Sequence, residues 1–251
     1  MNNPMLTNTP NSESAWDRAA NYVKEERSMR AVDKIVVKGA LDVVFFRAAT
    51  AHMVVAGESQ DAIRGIKTRF DGTKLIIEQE GTSISVAGGS IHVSGSGNIV
   101  AGGNIYMGGR RGGVSMQFNG PVGGIALGHG RCIVGIALPE APSIRLKGSG
   151  DITLYDLQQA VLDISVKGAG DITAFGNVDH LEAEVAGAGD VDARKLIAKT
   201  ATLLVSGAGD VKAHVSEAVK ARVSGCGDIV VRGNPAQRDK SVSGVGNIKF
   251  K

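Results

Sequence analysis

The sequence predicts an all-β fold, a parallel β-helix (β-solenoid) with coils of about 19 residues. Three observations favour it. A four-residue motif recurs at near-constant spacing, apolar and polar residues alternate around each copy, and aromatic residues are only 4% of the 251 residues. A chain of this length can bury a sufficient core, which here must be built from Val, Ile, Leu and Ala.

The first element is a polar N-terminal arm, residues 1–30, ahead of a single predicted solenoid domain over residues 31–251. Ser14 and Asp17 resemble a helix start, and one helical face would carry Trp16, Ala19, Ala20 and Val23. We expect a helix from about residue 14 through Arg30. Because the end of a solenoid exposes unpaired strand edges, this arm is predicted to be a cap or a swapped arm.

A weak copy of the repeat follows the arm. Ile35, Val37, Gly39, Leu41 and Val43 alternate with polar or outward positions, and Leu41 stands where later copies have a second glycine. Strict alternation of this kind is typical of a β-strand with one buried face.

The repeat itself is Gly-x-Gly-Asp/Asn. Copies begin at Gly95, Gly148, Gly168, Gly187, Gly207, Gly225 and Gly244, and from Gly148 onward they are spaced by 20, 19, 20, 18 and 19 residues. A fixed period indicates one structural unit stacked on itself. Inward glycines in strands mark bends or close backbone approach, so we assign Gly-x-Gly to a corner of each coil. Polar segments between copies, such as 155–160, 175–180 and 232–239, are predicted to be outer loops.

An uncharged, Gly-rich insertion is predicted at residues 81–130. The wider stretch 81–139 has no Asp, Glu or Lys and holds 17 of the 35 glycines. Ile91, Val93, Ile105 and Met107 keep the alternation, which favours narrower coils or a hairpin array. Natural proteins avoid exposing such surface, so we expect another copy of the chain to cover these residues. Further solenoid within the chain and a membrane-inserting hairpin remain alternatives.

The middle residues of the motif form a second predicted interface. They are small and point outward, which would let another backbone approach closely; they are Ser96, Ser149, Ala169, Ala188, Ala208, Cys226 and Val245. The alternative is that a tight corner simply requires small residues.

The last motif position forms a column of carboxylates at Asp151, Asp171, Asp190, Asp210 and Asp228, flanked by Asn98 and Asn247. Like charges one strand apart must splay, accept backbone N–H groups, shift their pKa values or bind cations. Because Asn replaces Asp at both ends, we favour capping by each side chain of its own glycine turn. A calcium column is the alternative.

Other function classes have little support. A net charge of +3 and ten aromatic residues provide no nucleic-acid platform. Arg110 and Arg111 could contact an anion, although a solvated turn is the simpler interpretation. Cys132 and Cys226 are too few for a disulfide framework or a zinc site. We find no catalytic motif and predict no cofactor and no catalytic residue.

The chain resembles the head GIN domain family of bacteria, described as autotransporter adhesins. The resemblance rests on the opening strand with Asp33 and Gly39, on Leu138-Pro139, on the motif ladder from Lys147, and on the closing strand around Gly244. It implies a right-handed parallel β-helix in an envelope or surface context, with no catalytic residues to carry over, and it makes residues 81–130 an insertion.

The predicted function is therefore a non-catalytic, adhesin-like interaction protein that self-associates into a homo-oligomer or polymer. A surface glycan or protein is a further possible partner, and a carbohydrate-binding or carbohydrate-cleaving β-helix is the alternative function. The N-terminus shows no signal peptide and no apolar spanning run, so as written the chain is predicted to be cytoplasmic, with an envelope or extracellular location as the alternative.

Overall fold

The computed structural model describes residue 16 and residues 19–79 and 131–251, together with the backbone of six strands within 83–128. The arm before Trp16, residues 17–18, Ser96, Arg110 and Arg111 lie outside the described residues. The interface predicted from Ile91, Val93, Ile105 and Met107 concerns side chains that are also outside them.

Parallel strands stack in register through the second half of the chain, as the repeat predicts. The strands are β14 (Ser143–Leu146), β15 (Ile152–Val166), β16 (Ile172–Val185), β17 (Val191–Val205), β18 (Val211–Val223), β19 (Ile229–Arg232), β20 (Gln237–Val242) and β21 (Ile248–Phe250). Ile152 pairs with Ile172, Ile172 with Val191, and Val191 with Val211. The all-β solenoid is confirmed.

Each coil has a Gly-x-Gly-Asp corner followed by three faces. In the Gly168 coil, the corner at 168–171 leads to face 1 (172–175), face 2 (176–180) and face 3 (181–185). We call the line of stacked corners, between face 3 and face 1, the Gly-x-Gly-Asp edge. Segments 155–160 and 175–180, predicted to be loops, instead lie within the continuous strands β15 and β16 and build face 2.

The inward positions predicted from the alternation form the core. Leu162, Ile164, Val166, Ile172 and Ala174 are completely buried, and the equivalent residues of the other coils join them in one hydrophobic cluster. The prediction of a weak first copy of the repeat is also confirmed, since Ile35, Val37 and Leu41 are buried in the same cluster.

The N-terminal half adds further layers at one end of the stack. Its elements are β1 (Val23–Arg27), β2 (Lys34–Lys38), β3 (Asp42–Arg47), β4 (His52–Gly57), α1 (Gln60–Arg64), β5 (Ile66–Asp71), β6 (Lys74–Gln79) and β13 (Cys132–Leu138). Strands β2 and β3 form the coil that stacks directly on β14 and β15. Strands β6 and β13 lie in parallel outside that coil, and antiparallel β5, β4 and β1 close this end.

The insertion forms antiparallel strands rather than coils. They are β7 (Ser83–Ala87), β8 (Ser90–Ser94), β9 (Asn98–Gly102), β10 (Ile105–Gly108), β11 (Val114–Phe118) and β12 (Gly123–Gly128). Strands β10, β11, β8 and β7 make one sheet, and β12 and β9 make another. Of the two arrangements left open by the sequence, the hairpin array is the one observed.

The N-terminal arm packs on the outside of face 1. Trp16 is helical and buried against Val44, Ala56 and Ile133, and a side chain at Gly135 would collide with its ring at 2.7 Å. The helix expected through Arg30 does not extend to Val23, because Val23–Arg27 is an edge strand paired with β4. The arm thus covers an apolar outer surface in addition to extending the sheet.

Candidate functional site

The Gly-x-Gly-Asp edge is where neighbouring coils approach most closely. A Cβ atom built on Gly168 would lie 1.8 Å from the carbonyl oxygen of Gly148, and one on Gly170 would lie 2.0 Å from that of Gly150. The same clash recurs in every later coil, from Gly187 to Gly246. Glycine is required here because no side chain fits between the stacked backbones.

The aspartates of the edge form a hydrogen-bonded ladder between coils. The backbone N–H of Asp171 donates to Oδ1 of Asp151 at 3.1 Å, and that of Asp190 donates to Oδ1 of Asp171 at 2.7 Å. Later rungs continue through Asp210 and Asp228 to Asn247, at 2.7 to 2.8 Å. The prediction that each aspartate caps its own turn is corrected, since the side chain caps the next coil. The reason is that the corners stack closely, so the backbone N–H of the next coil lies within hydrogen-bonding distance of each aspartate side chain.

The ladder also has a first member that the sequence reading missed. The N–H of Asp151 donates to Oδ1 of Asp42 at 3.0 Å, which extends the ladder into the β2–β3 coil. Asp42 follows Leu41 as each later aspartate follows the second glycine, so the alignment of the weak copy contained this signal.

Charges along the ladder are compensated in two later coils. Lys212 lies 3.6 Å from Asp190, and Lys249 lies 3.2 Å from Asp228. The hydrogen bond from Lys249 lowers the pKa of Asp228, assisted by the backbone N–H of Asn247. In the described parts of the chain, Asp151 and Asp171 have no cation within 4 Å, and no three His, Cys, Asp or Glu side chains are placed to hold a metal ion.

The small middle residues of the motif that the structure describes, six of the seven predicted, lie exposed along the edge. The exposed residues are Ser149, Ala169, Ala188, Ala208, Cys226 and Val245, and Ala40 is equally exposed in the first coil. Their backbone N–H groups are used within the stack, as when Ala188 donates to Gly168 at 2.9 Å. The column is therefore a smooth surface with satisfied backbone.

A line of lysines borders the same column on the side of face 3. Lys38, Lys147 and Lys167 directly precede the first glycine of three successive corners. Lys38 is 3.6 Å from Glu78, whereas Lys147 and Lys167 are exposed and have no carboxylate within 4 Å among the residues the structure describes. In these coils the edge thus carries basic residues on one side and acidic residues on the other.

The insertion starts and ends at this edge. Gln79 lies against Gly39, since a Cβ on Gly39 would lie 2.8 Å from that of Gln79, and Ile133 pairs with Asp42. Gln79 and Cys132 of the outer coil occupy the positions of Gly39 and Leu41 in the next coil. Gly39 and Leu41 are separated only by Ala40, whereas Gln79 and Cys132 are separated by the 52 residues 80–131. The insertion therefore replaces one small corner residue of the outer coil, and the two interfaces predicted from sequence adjoin each other.

The two cysteines differ in environment. Cys132 is buried in the core, and burial, with a contribution from Glu58, raises the pKa of its thiol to about 11. Cys226 is exposed in the small-residue column.

A second feature, which the sequence reading missed, lies at the corner between face 1 and face 2. The rings of Phe46, Tyr155 and Phe175 stack with centroids 5.4 and 5.2 Å apart. Lys195 continues the column, with Nζ 5.3 Å from the Phe175 ring. Aromatic residues at equivalent positions of three coils, in a chain with only ten, were the available signal. A cleft adjoins the end of this column.

The ion pairs on these faces cross between coils or bridge neighbouring residues. Asp192 binds Arg194 two residues away, while Arg222 lies 3.3 Å from Asp239 on face 3. Asp190, Asp192, Lys212 and Arg222 are not gathered in one site, since Asp190 lies on the edge, Asp192 and Lys212 on face 1 and Arg222 on face 3, and each takes part in an ion pair. No helix in the described residues has the length and apolar character needed to cross a bilayer.

Comparison with known proteins supports the resemblance seen in the sequence. Residues 131–235 match the family model described as "Putative auto-transporter adhesin, head GIN domain". A crystal structure of a "putative adhesin" from Bacteroides fragilis is similar with a TM-score of 0.58 at 16% identity, covering 92% of this chain and 98% of that one. One from Parabacteroides distasonis, described as a "putative lipid binding protein", has a TM-score of 0.50 at 17% identity, covering 92% and 97%. These likenesses support the fold. The search of curated proteins found no match.

Proposed function

We propose, from the premise that residues 131–235 form a head GIN domain of the adhesin-like family, that this chain is a non-catalytic interaction module that self-associates along its Gly-x-Gly-Asp edge. The observation that carries the proposal is the convergence of two surfaces on one edge. The exposed small-residue column and both ends of the uncharged insertion adjoin there.

The charges beside the column favour a particular pairing of two copies. In the Gly148 and Gly168 coils, Lys147 and Lys167 lie on one side of the column, and Asp151 and Asp171 lie on the other. A two-fold axis parallel to the solenoid places the lysines of one copy opposite the aspartates of the other. A two-fold axis perpendicular to the solenoid does not place the lysines of one copy opposite the aspartates of the other. The proposed dimer is therefore side by side, with both solenoids running in the same direction.

The insertion would complete this contact. The residues that flank it, Gln79 and Cys132, lie one coil beyond Gly39 and Leu41, so in a parallel dimer the insertions of the two copies would leave the solenoid at the same end. A surface without acidic residues or lysines loses little hydration of charge when it is covered. The adhesin-like description of the family supports an interaction role in the cell envelope or outside the cell, in place of the cytoplasmic location expected from the N-terminus.

The test is the solution mass, measured by light scattering at low salt. We expect the full chain to have a multiple of 25.9 kDa. Lys147→Glu with Lys167→Glu should give a monomer, because each copy would then face aspartate with glutamate. Lys199→Glu with Lys220→Glu makes the same charge change on exposed residues away from the edge, and it should leave the mass unchanged.

A second variant tests the insertion. Replacing residues 80–131 by a single alanine copies the Gly39-Ala40-Leu41 connection and preserves both flanking strands. We expect weaker association, seen as a mass that falls on dilution. A full chain that is monomeric, or an oligomer unaffected by the two lysine substitutions, would refute association along this edge.

A further inference from the structure

A cleft of about 260 Å³ opens on the corner between faces 1 and 2. Its lining combines a hydroxyl group, an aromatic ring, one carboxylate and three cationic side chains: Thr173, Ala174, Phe175, Asp192, Arg194, Lys195 and Arg232. Phe175 also packs against the cluster that contains Trp16, and the cleft lies at a different corner of the coil from the small-residue column.

The cleft arises from a difference in coil length. Ala193 pairs with Ala213, but the next paired residue of β17, Ile197, is opposite His214. Arg194, Lys195 and Leu196 therefore have no counterparts in the following coil. Leu196 is buried in the core, whereas Arg194 and Lys195 are exposed and form one wall of the cleft.

One cation of the cleft is neutralised within the chain. Arg194 Nε lies 2.8 Å from Oδ1 of Asp192, and Nη2 lies 2.5 Å from Oδ2. The hydrogen bonds from Arg194 lower the pKa of Asp192. The pair fixes a carboxylate whose remaining lone pairs can accept hydrogen bonds from hydroxyl groups.

The other two cations are available. Lys195 lies over the Phe175 ring, and Arg232 is exposed. Within the described chain neither has a carboxylate partner within 4 Å. Two unneutralised cations that face a cavity favour an anionic group there.

We propose that this cleft binds an acidic sugar unit of an anionic oligosaccharide. Arg232 and Lys195 hold the sugar carboxylate, Thr173 and Asp192 hydrogen-bond the hydroxyl groups, and the rim of Phe175 contacts the apolar side of the sugar ring. The combination distinguishes an acidic sugar from a simple anion, which needs no hydroxyl acceptor. Because the cleft lies on the outer surface of the sheet, further sugar units can continue along face 1.

Isothermal titration with trigalacturonate tests the proposal on the full chain. We expect saturable binding that is at least tenfold weaker for the neutral methyl ester, which keeps the same hydroxyl groups. Sodium acetate supplies the carboxylate alone and should compete only at far higher concentration. Lys195→Gln with Arg232→Gln should weaken binding at least tenfold, and Lys199→Gln with Lys220→Gln should not change it.

Thermal unfolding of each variant checks that the fold is intact, which we expect because all four substituted residues are exposed. Absence of saturable binding, equal binding of the methyl ester, equal binding by the Lys195 and Arg232 variant, or acetate competition at the affinity of the trisaccharide would each overturn the proposal. None of these results depends on the oligomeric state of the chain.

Discussion

The Gly-x-Gly-Asp edge and the two other corners of the solenoid differ in how much variation in coil length they accommodate. Along the edge, each coil repeats the same four positions without insertion after the outer coil, and backbone atoms pack too closely for any side chain. Every register shift between the long strands β15 to β18 lies elsewhere, at Leu154/Leu157, Thr173/Phe175, Ala193/Ile197 and Ala198/Thr200. The edge therefore sets the stacking of the coils, and the other corners absorb differences in coil length.

The largest expected effect separates these two regions within one coil. A serine inserted between Ala208 and Gly209 displaces a glycine and an aspartate from their columns, so we expect a loss of more than about 4 kcal/mol in unfolding free energy. A serine inserted between Ser216 and Glu217, both exposed and already beside a register shift, should change it by about 0.5 kcal/mol or less.

Urea denaturation of both insertion variants measures the difference. Equal destabilisation by the two insertions would show that coil length is fixed all around the solenoid, and the comparison between edge and corners would then fail.

Removal of a single edge glycine gives the next largest effect. In Gly187→Ala the new Cβ would lie 2.0 Å from the carbonyl oxygen of Gly168, so the coils must separate locally. We expect a destabilisation of about 3 kcal/mol, the upper range for overpacking. Ala188→Ser alters the exposed neighbour and serves as the control, with an expected change of less than about 0.5 kcal/mol. A shift in the urea midpoint that is no larger for Gly187→Ala than for its control would contradict the close-contact argument.

The contrast also explains what could be predicted from the sequence. Edge residues such as Gly168, Ala169 and Asp171 recur because one steric requirement acts on every coil, so alignment of the copies located them. Alternation likewise identified core residues such as Leu162 and Val205, which are buried. Both features are local and periodic.

Contacts between coils and departures from the period were not predicted. The partner of each aspartate lies about 19 residues away in the adjacent coil, and a single repeat contains no information about it. The placement of Trp16 on Gly135 joins residues far apart in sequence. Face 2 was mistaken for loops because its polar residues resemble turns, although the backbone continues as strand. The cleft depends on spacings of 20 and then 18 residues, a difference that was visible but had no structural meaning before the corners were placed.

The smallest expected effect concerns one rung of the aspartate ladder. Oδ1 of Asp190 accepts the N–H of Asp210 at 2.7 Å, so Asp190→Ala leaves that N–H without its partner and removes the ion pair with Lys212. We expect a loss of about 1 kcal/mol, comparable to the loss of a helix cap. Asp190→Asn keeps an acceptor oxygen and should recover most of it, since the pair with Lys212 is exposed and contributes little. Amide hydrogen exchange at Asp210 gives a local readout, because the N–H should exchange faster in the alanine variant and at the native rate in the asparagine variant. Equal losses in both variants would assign the stability to the charge of Asp190 and not to its hydrogen bond. The ladder would then stabilise the protein electrostatically and would not be a consequence of the close stacking along the edge.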